Sequence, residues 1–148
     1  MAGLRLNVRT GEITTINGSK TILQLVPGSN SRVLLDEFHV ALKGTIGTEP
    51  PALLQLIRGR AGGSGSSAGT VNKENTGDPE TAQLTARTGY TSEPTSGTVI
   101  FETEFHPQGG FDWINQLNPL ILHGGVSCDF VISAAYTYSC TIQVRVQE

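Results

Sequence analysis

The feature that constrains this chain most is a repeated alternation of apolar and polar residues, broken by Gly, Pro or Asn about every ten residues. Residues 138–146, for example, carry an apolar side chain at every second position. Successive side chains of a β-strand point to opposite faces of a sheet, so this pattern predicts strands with one buried face. No stretch repeats its apolar residues with the period of a helix. We therefore predict an all-β fold of roughly eight to ten strands with little or no helix.

Chain length and turn spacing predict how these strands assemble. A chain of 148 residues has the usual size of one domain. Short strands between regular turns favour two packed antiparallel sheets, and a jelly-roll-like β-sandwich suits this number of strands. We place the sandwich at residues 11–148, with residues 1–10 as an N-terminal arm or an edge strand. The Gly/Ser-rich and polar stretch 59–80 is expected to be a flexible loop.

Two local features refine the N-terminal half. Both residues of Asn17-Gly18 tolerate positive φ, which predicts a hairpin between strands at 12–16 and 20–25. In the strand 32–43 the apolar residues change parity halfway, which predicts a β-bulge near Asp36-Glu37.

Two further strands are predicted in the C-terminal half. In the strand 98–106, Val99, Phe101 and Phe105 are expected to share the buried face. Alternation on either side of Ala134-Ala135 predicts a hairpin that begins at Val126 and continues to the C-terminus.

The predicted hairpin would place Cys128 opposite Cys140 on the core face. A cross-strand disulfide is one outcome, if the pair lies where Cα atoms approach most closely. The other is two buried thiols that pack as small apolar residues. Since the chain shows no signal peptide, we favour the reduced thiols.

The residues that could carry chemistry do not form a catalytic or metal-binding pattern. His39, His106 and His123 lie far apart and lack the paired spacing of a metal site on a jelly roll. Glu102 and Glu104 share one strand face at a separation of about 7 Å, as in an inverting glycosidase, but one tryptophan does not predict an aromatic cleft. We predict no catalytic, cofactor-binding or metal-binding residues and no enzymatic activity.

Charge and hydropathy narrow the choice of partners. The net charge is −3, and the ten Lys and Arg residues are scattered singly. Nucleic-acid binders need clustered basic residues, so no direct nucleic-acid contact is expected. No segment has the length and apolarity of a membrane span or a signal peptide. We expect synthesis in a cytosol and no membrane partner.

The segment 106–113 is the most distinctive in the chain. Pro107 ends a strand, Gly109-Gly110 permits unusual backbone angles, and Phe111 and Trp113 share a face. We favour a corner whose aromatic residues cap the core over an aromatic anchor for a partner. Candidate partner contacts from this segment and the N-terminus are Leu4, Leu6, His106, Gln108, Gly109, Gly110, Phe111 and Trp113.

Three short motifs resemble small β-proteins encoded among the virion genes of tailed bacteriophages. They are 93–99 (EPTSGTV), 106–110 (HPQGG) and the Ala-containing C-terminal segment that ends in Glu148. The likeness spans roughly residues 33–148. It implies a capsid decoration, or cement, protein that binds the major capsid protein or another virion protein. Such proteins are commonly homotrimers on the capsid surface, and this one would be made in the host cytoplasm. The resemblance carries over no functional residues.

Other functions remain open at this point. A close variant is a structural protein of the tail or of the head–tail junction. A carbohydrate-binding β-sandwich module would need a row of exposed aromatic residues, for which the candidates are Tyr90, Trp113, Tyr136 and Tyr138. A jelly-roll enzyme is the least supported, because no triad or paired metal ligands occur.

Overall fold

The computed structural model describes residues 3–15, 18–43 and 49–148. This part of the chain contains strands and no helix. In chain order the strands are β1 (Arg5–Arg9), β2 (Ile13–Thr15), β3 (Gly18–Val26), β4 (Arg32–Lys43), β5 (Ala52–Arg58), β6 (Ser67–Ala68), β7 (Thr70–Lys73), β8 (Thr85–Thr88), β9 (Thr98–Phe105), β10 (Phe111–Ile114), β11 (Leu120–His123), β12 (Cys128–Ala134) and β13 (Tyr138–Gln147).

The strands form two antiparallel sheets that pack against each other. The first sheet has the order β10-β4-β13-β1-β7, with β11 also on β4 and β2 also on β13. The second has the order β6-β8-β3-β12-β5-β9. The pairs β1–β13, β3–β12, β4–β10 and β5–β9 are nested, like one long antiparallel ribbon folded over itself. This is the wrapping of a jelly roll, so the predicted all-β sandwich is confirmed. The described residues form thirteen strands where eight to ten were predicted, because the insertion and the connections contain additional short strands.

The connection from β5 to β9 is an insertion that widens both sheets on one side. Within it, β7 pairs with β1 of the first sheet, while β8 pairs with β3 of the second. The stretch 59–80, predicted as one loop, thus contains β6 and β7. The N-terminal prediction is also wrong, because β1 lies between β13 and β7 and is neither an arm nor an edge strand.

Within the core, the ring of Phe38 joins the two sheets. It is fully buried on β4 and lies 5.2 Å from the ring of Phe130 on β12, at an edge-to-face angle. On the side where β9 and β10 are the edge strands, the ring centroids of Phe101 and Phe111 each lie 5.9 Å from that of Phe38. Trp113 stacks on Phe38 with a centroid distance of 5.3 Å. Both geometries are favourable for aromatic pairs. These five rings close the side of the roll opposite to the insertion.

The β-bulge predicted in β4 is confirmed. Arg145 pairs with Glu37 and the next residue, Val146, pairs with Leu35, so Asp36 is the extra residue. The bulge restores the apolar residues on both sides of it to the core face.

A second bulge, in β9, corrects the prediction for Val99. Phe101 points inward and Phe105 is buried, as expected. Ile100 is an extra residue opposite β5, which shifts the parity of the residues before it. Val99 is therefore 46 % exposed instead of buried.

Both predicted hairpins are wrong. β2 pairs with β13 in the first sheet, whereas β3 pairs with β12 and β8 in the second. Asn17 itself lies outside the described residues. Likewise β12 belongs to the second sheet and β13 to the first, so the chain crosses between sheets at 135–137. Val126, expected at the start of the hairpin's buried face, is exposed before β12 begins.

The two cysteines therefore do not face each other across a ladder. Cys128 has Leu25 and Arg58 as strand neighbours, while Cys140 has Leu42 and Ile13. Both are buried free thiols, the favoured alternative. Burial raises the pKa of each thiol to about 12, which leaves it in the unreactive neutral form.

Candidate interaction surface

The predicted partner contacts at the N-terminus lie inside the core. Leu4 is 5 % exposed and Leu6 is fully buried. The backbone of Leu4 also exchanges two hydrogen bonds with Glu148, at 2.9 and 2.8 Å. Because both side chains pack in the hydrophobic core, they are not accessible to a partner, and this part of the prediction is wrong.

The predicted aromatic contacts cap the core. Phe111 and Trp113 are half-buried on β10 and pack against Phe38. This arrangement agrees with the favoured interpretation of a corner. The other aromatic candidates for glycan binding are Tyr90 and Tyr138, which are buried, and Tyr136, which is half-buried.

The loop 106–110 is the part of the prediction that reaches the surface. His106 and Gln108 are exposed, and the backbone N–H of Gln108 donates to His106 Nδ1 at 3.2 Å. Gly110 has a φ of +65°, and a Cβ there would lie 2.6 Å from the backbone oxygen of Val40. Only glycine therefore allows the loop to lie this close to β4.

A groove of about 460 Å³ runs between this loop and the outer face of the first sheet. Residues of β4 and β13 line it on the side of the sheet, and Arg9 lines it as well. The lining is mainly uncharged, and includes Ala41, Gln108, Thr141 and Gln143. Uncharged polar groups are easier to desolvate than charges when another molecule docks.

A line of polar and charged side chains crosses the outer face of the first sheet, and two of its members, His39 and Asp112, line the groove. His39 Nδ1 lies 2.7 Å from Asp112 Oδ1, and since a carboxylate only accepts, the imidazole donates. His39 Nε2 is 3.9 Å from the nearly buried carboxylate of Glu37. Arg145 then contacts Glu37 at 2.8 Å and Glu74 at 3.0 Å. These contacts connect β10, β4, β13 and the insertion, and they position the His39 ring at the groove.

The edge patch is defined as three exposed apolar residues on β10, on β11 and in the connection between them: Ile114, Leu117 and Ile121. Their exposed fractions are 62 %, 101 % and 38 %. In the described part of the chain β10 and β11 pair with β4 alone, so the other side of both strands is a free edge. Apolar side chains beside a free strand edge are typical of a surface that another protein covers.

Sequence reasoning missed the edge patch, although a signal for part of it was present. Trp113 alternates with Ile114, and Leu122 alternates with Ile121, so both isoleucines occupy positions where a solvated strand face would carry polar residues. Leu117 lies between polar neighbours in the connection, where nothing predicted its full exposure.

The described residues contain no group of three or more His, Cys, Asp or Glu side chains placed to hold a metal ion. They also contain no helix that is long and apolar enough to span a membrane. No known protein-family profile matches the chain, and no curated protein matches it at a significant level.

Proposed function

We propose that this protein is a structural protein of a tailed-bacteriophage virion, which decorates the capsid by binding the major capsid protein. The observation that carries the proposal is the edge patch beside a mainly uncharged groove, on a rigid jelly roll. The motifs at 93–99 and 106–110 supply the class of partner. A surface of this kind suits contact with a protein.

The free energy gained by burying the edge patch indicates how tightly one copy of the protein can bind. Full burial of an aliphatic side chain is worth about 1.5–3 kcal/mol. Ile114 has 62 % of its surface left to bury and Leu117 has all of it, so together they supply about 2–5 kcal/mol. Association costs about 4–15 kcal/mol in lost rigid-body freedom, so one patch binds weakly on its own. Several copies on a repeated lattice bind tightly through avidity, which is why a homotrimer on a capsid fits this surface.

The groove and loop provide specificity next to the apolar contact. Gln108 and the neighbouring backbone present uncharged hydrogen-bonding groups, while His39 and Asp112 set a fixed polar pair beside them. Apolar anchors surrounded by oriented polar groups are the usual composition of a protein interface. The glycan-binding alternative is disfavoured because its aromatic candidates pack inward.

The test uses heads of the phage that encodes the protein, prepared without it. Purified wild-type protein is mixed with these heads, and the bound fraction is measured after sedimentation. Leu117→Asp should weaken binding at least tenfold, because a charge replaces the most exposed apolar anchor. Val99→Asp is the matched control, since Val99 is an exposed valine on the second sheet. We expect it to bind like the wild type.

Two results would contradict the proposal. One is that the wild-type protein does not bind heads at all, and binding to tails instead would indicate the head–tail or tail variant. The other is that Leu117→Asp and Val99→Asp bind heads equally well, which would remove the edge patch from the contact.

A further inference from the structure

A buried carboxylate lies beneath the insertion, on the side of the second sheet that faces away from the core. Cys128 and Phe130 of β12 point into the core, so Asp129 and Val131 point to the opposite face. That face would normally be solvated, yet Asp129 is fully buried and Val131 is 3 % exposed.

The cover consists of two segments of the insertion, residues 59–66 and 89–97, which we call the strap. Ala61 and Thr95 exchange two backbone hydrogen bonds, at 3.0 and 2.9 Å. Ser64 and Ser92 are bridged in the same way, at 3.0 and 3.2 Å. The two segments are thus held to each other by short bridges instead of a continuous ladder. Further hydrogen bonds join them to the second sheet, among them Gly59 N–H to the backbone oxygen of Ser127 at 2.8 Å and the Tyr90 hydroxyl to Gln24 Oε1 at 2.7 Å. Opening of this unit still breaks fewer bonds than unfolding of the two sheets.

Arg60 ties the strap to the sheet. One of its nitrogens, Nη1, donates to Thr21 Oγ1 at 2.8 Å, and Nη2 donates to the backbone oxygen of Pro94. Its own backbone oxygen accepts from Ser127 Oγ at 3.2 Å. The guanidinium is 3.7 Å from Asp129 Oδ2, which is a loose ion pair without a hydrogen bond.

Glu93 makes the second tie. Its carboxylate accepts the backbone amide of Thr21 at 2.8 Å and contacts Lys20 Nζ at 3.0 Å. The amide is available because β8 pairs only with Gln24–Val26, which leaves the rest of that side of β3 without a strand. Glu93 therefore substitutes for a missing strand partner.

The environment of Asp129 disfavours its charge. Neither of its oxygens has a partner at hydrogen-bond geometry among the described residues, although the side chains of Gln24 and Ser127 lie close enough to lower its pKa. Burial is the largest influence and raises the pKa of Asp129 to about 6; Gln24, Arg60 and Ser127 lower the pKa by less, and Glu93 raises it. A buried carboxylate with such weak partners is more stable when protonated.

Six other ionisable groups surround Asp129. Burial raises the pKa of Tyr90, and it raises the pKa of Cys128 to about 12, so both are neutral near neutral pH. The other four are Arg58 on β5, Arg87 on β8, and Lys20 and Glu93, whose side chains lie 3.0 Å apart.

We propose that the strap is a proton-controlled cover, closed when Asp129 is protonated and more readily opened when Asp129 is ionised. Opening hydrates the carboxylate and exposes Val131 on the outer face of the second sheet. The contribution of Asp129 to closure is complete below its unfolded pKa of 3.8 and is lost as the pH rises through about 6. The opening constant therefore rises about tenfold between pH 5 and pH 8.

Amide hydrogen exchange tests this proposal on the intact chain. The probes are the bridging amides of Ala61, Ser64 and Thr95, with rates corrected for the intrinsic pH dependence. At both pH values they should open more often than the amides of β13, which exchange through global unfolding. Their opening constants should rise about tenfold from pH 5 to pH 8 in the wild type. In Asp129→Asn they should stay low and constant.

Glu104→Gln is the matched control, since it removes an exposed carboxylate from the same sheet. It should retain the wild-type pH response. Strap amides that open no more often than β13, or that show no pH response, would overturn the proposal. So would a pH response that persists in Asp129→Asn. If that variant does not fold, carbon-13 titration of the wild-type Asp129 carboxyl decides, because an apparent pKa near 3.8 contradicts the proposal.

Discussion

Replacement of Phe38 by alanine is the perturbation that tests the packing of the sandwich most severely. Its ring is fully buried and contacts aromatic rings from β9, β10 and β12, at centroid distances of 5.2–5.9 Å. Removal of a buried phenylalanine costs about 3–5 kcal/mol, because surface is lost from the core and the cavity does not collapse fully. For a chain of this length, each kcal/mol lowers Tm by about 2–4 °C, so we expect a fall of about 6–20 °C.

The assay is urea unfolding followed by the emission of Trp113, the single tryptophan, which stacks on Phe38. Val99→Ala is the control, because Val99 is exposed and its truncation should change the free energy of unfolding by less than about 0.5 kcal/mol. A loss below about 1 kcal/mol in Phe38→Ala would refute the assignment of Phe38 as the residue that joins the two sheets.

Three further predictions follow from single sites. Cys128 and Cys140 should not react with a thiol reagent in the native protein, whereas both should react after denaturation; rapid native labelling would contradict their burial. Gly110→Ala should lower the free energy of unfolding by about 1–3 kcal/mol, because φ is positive and the new Cβ meets β4. Gly109→Ala, where a Cβ meets nothing closer than 3.8 Å, should be tolerated in the same unfolding assay, and equal losses would contradict the geometry. Asp129→Asn should raise the free energy of unfolding at pH 8 by about 1–3 kcal/mol, since the folded pKa of about 6 lies above 3.8. Below pH 3.8 this gain should vanish, and a gain of equal size at both pH values would contradict the cause.

The sequence predicted the fold class because alternation and turn spacing are local signals. The bulge at Asp36 could also be predicted. When the apolar residues of one strand change parity, one extra residue in that strand returns both sets to the core face. The two hairpins could not, because alternation reports that a strand has a buried face but not which sheet supplies its partner. A hairpin turn at Ala134-Ala135 and a crossing from one sheet to the other both require the same apolar–polar alternation on either side of these residues.

The candidate site was accessible to sequence reasoning only in part. The loop 106–110 could be located from its proline and glycines. The contact of His39 with Asp112 depends on the pairing of β4 with β10, which brings residues far apart in the chain together. Asp129 could not be recognised as buried, because its strand parity predicts a solvated face and a distant insertion covers it.

The most direct test of the proposed function is electron microscopy of phage particles with and without this protein. We predict density of jelly-roll size on the outer surface of the capsid lattice, absent from particles that lack the protein, with the edge patch of Ile114, Leu117 and Ile121 at a contact with another protein subunit. Density confined to the tail, or no difference between the two kinds of head, would contradict a capsid decoration protein.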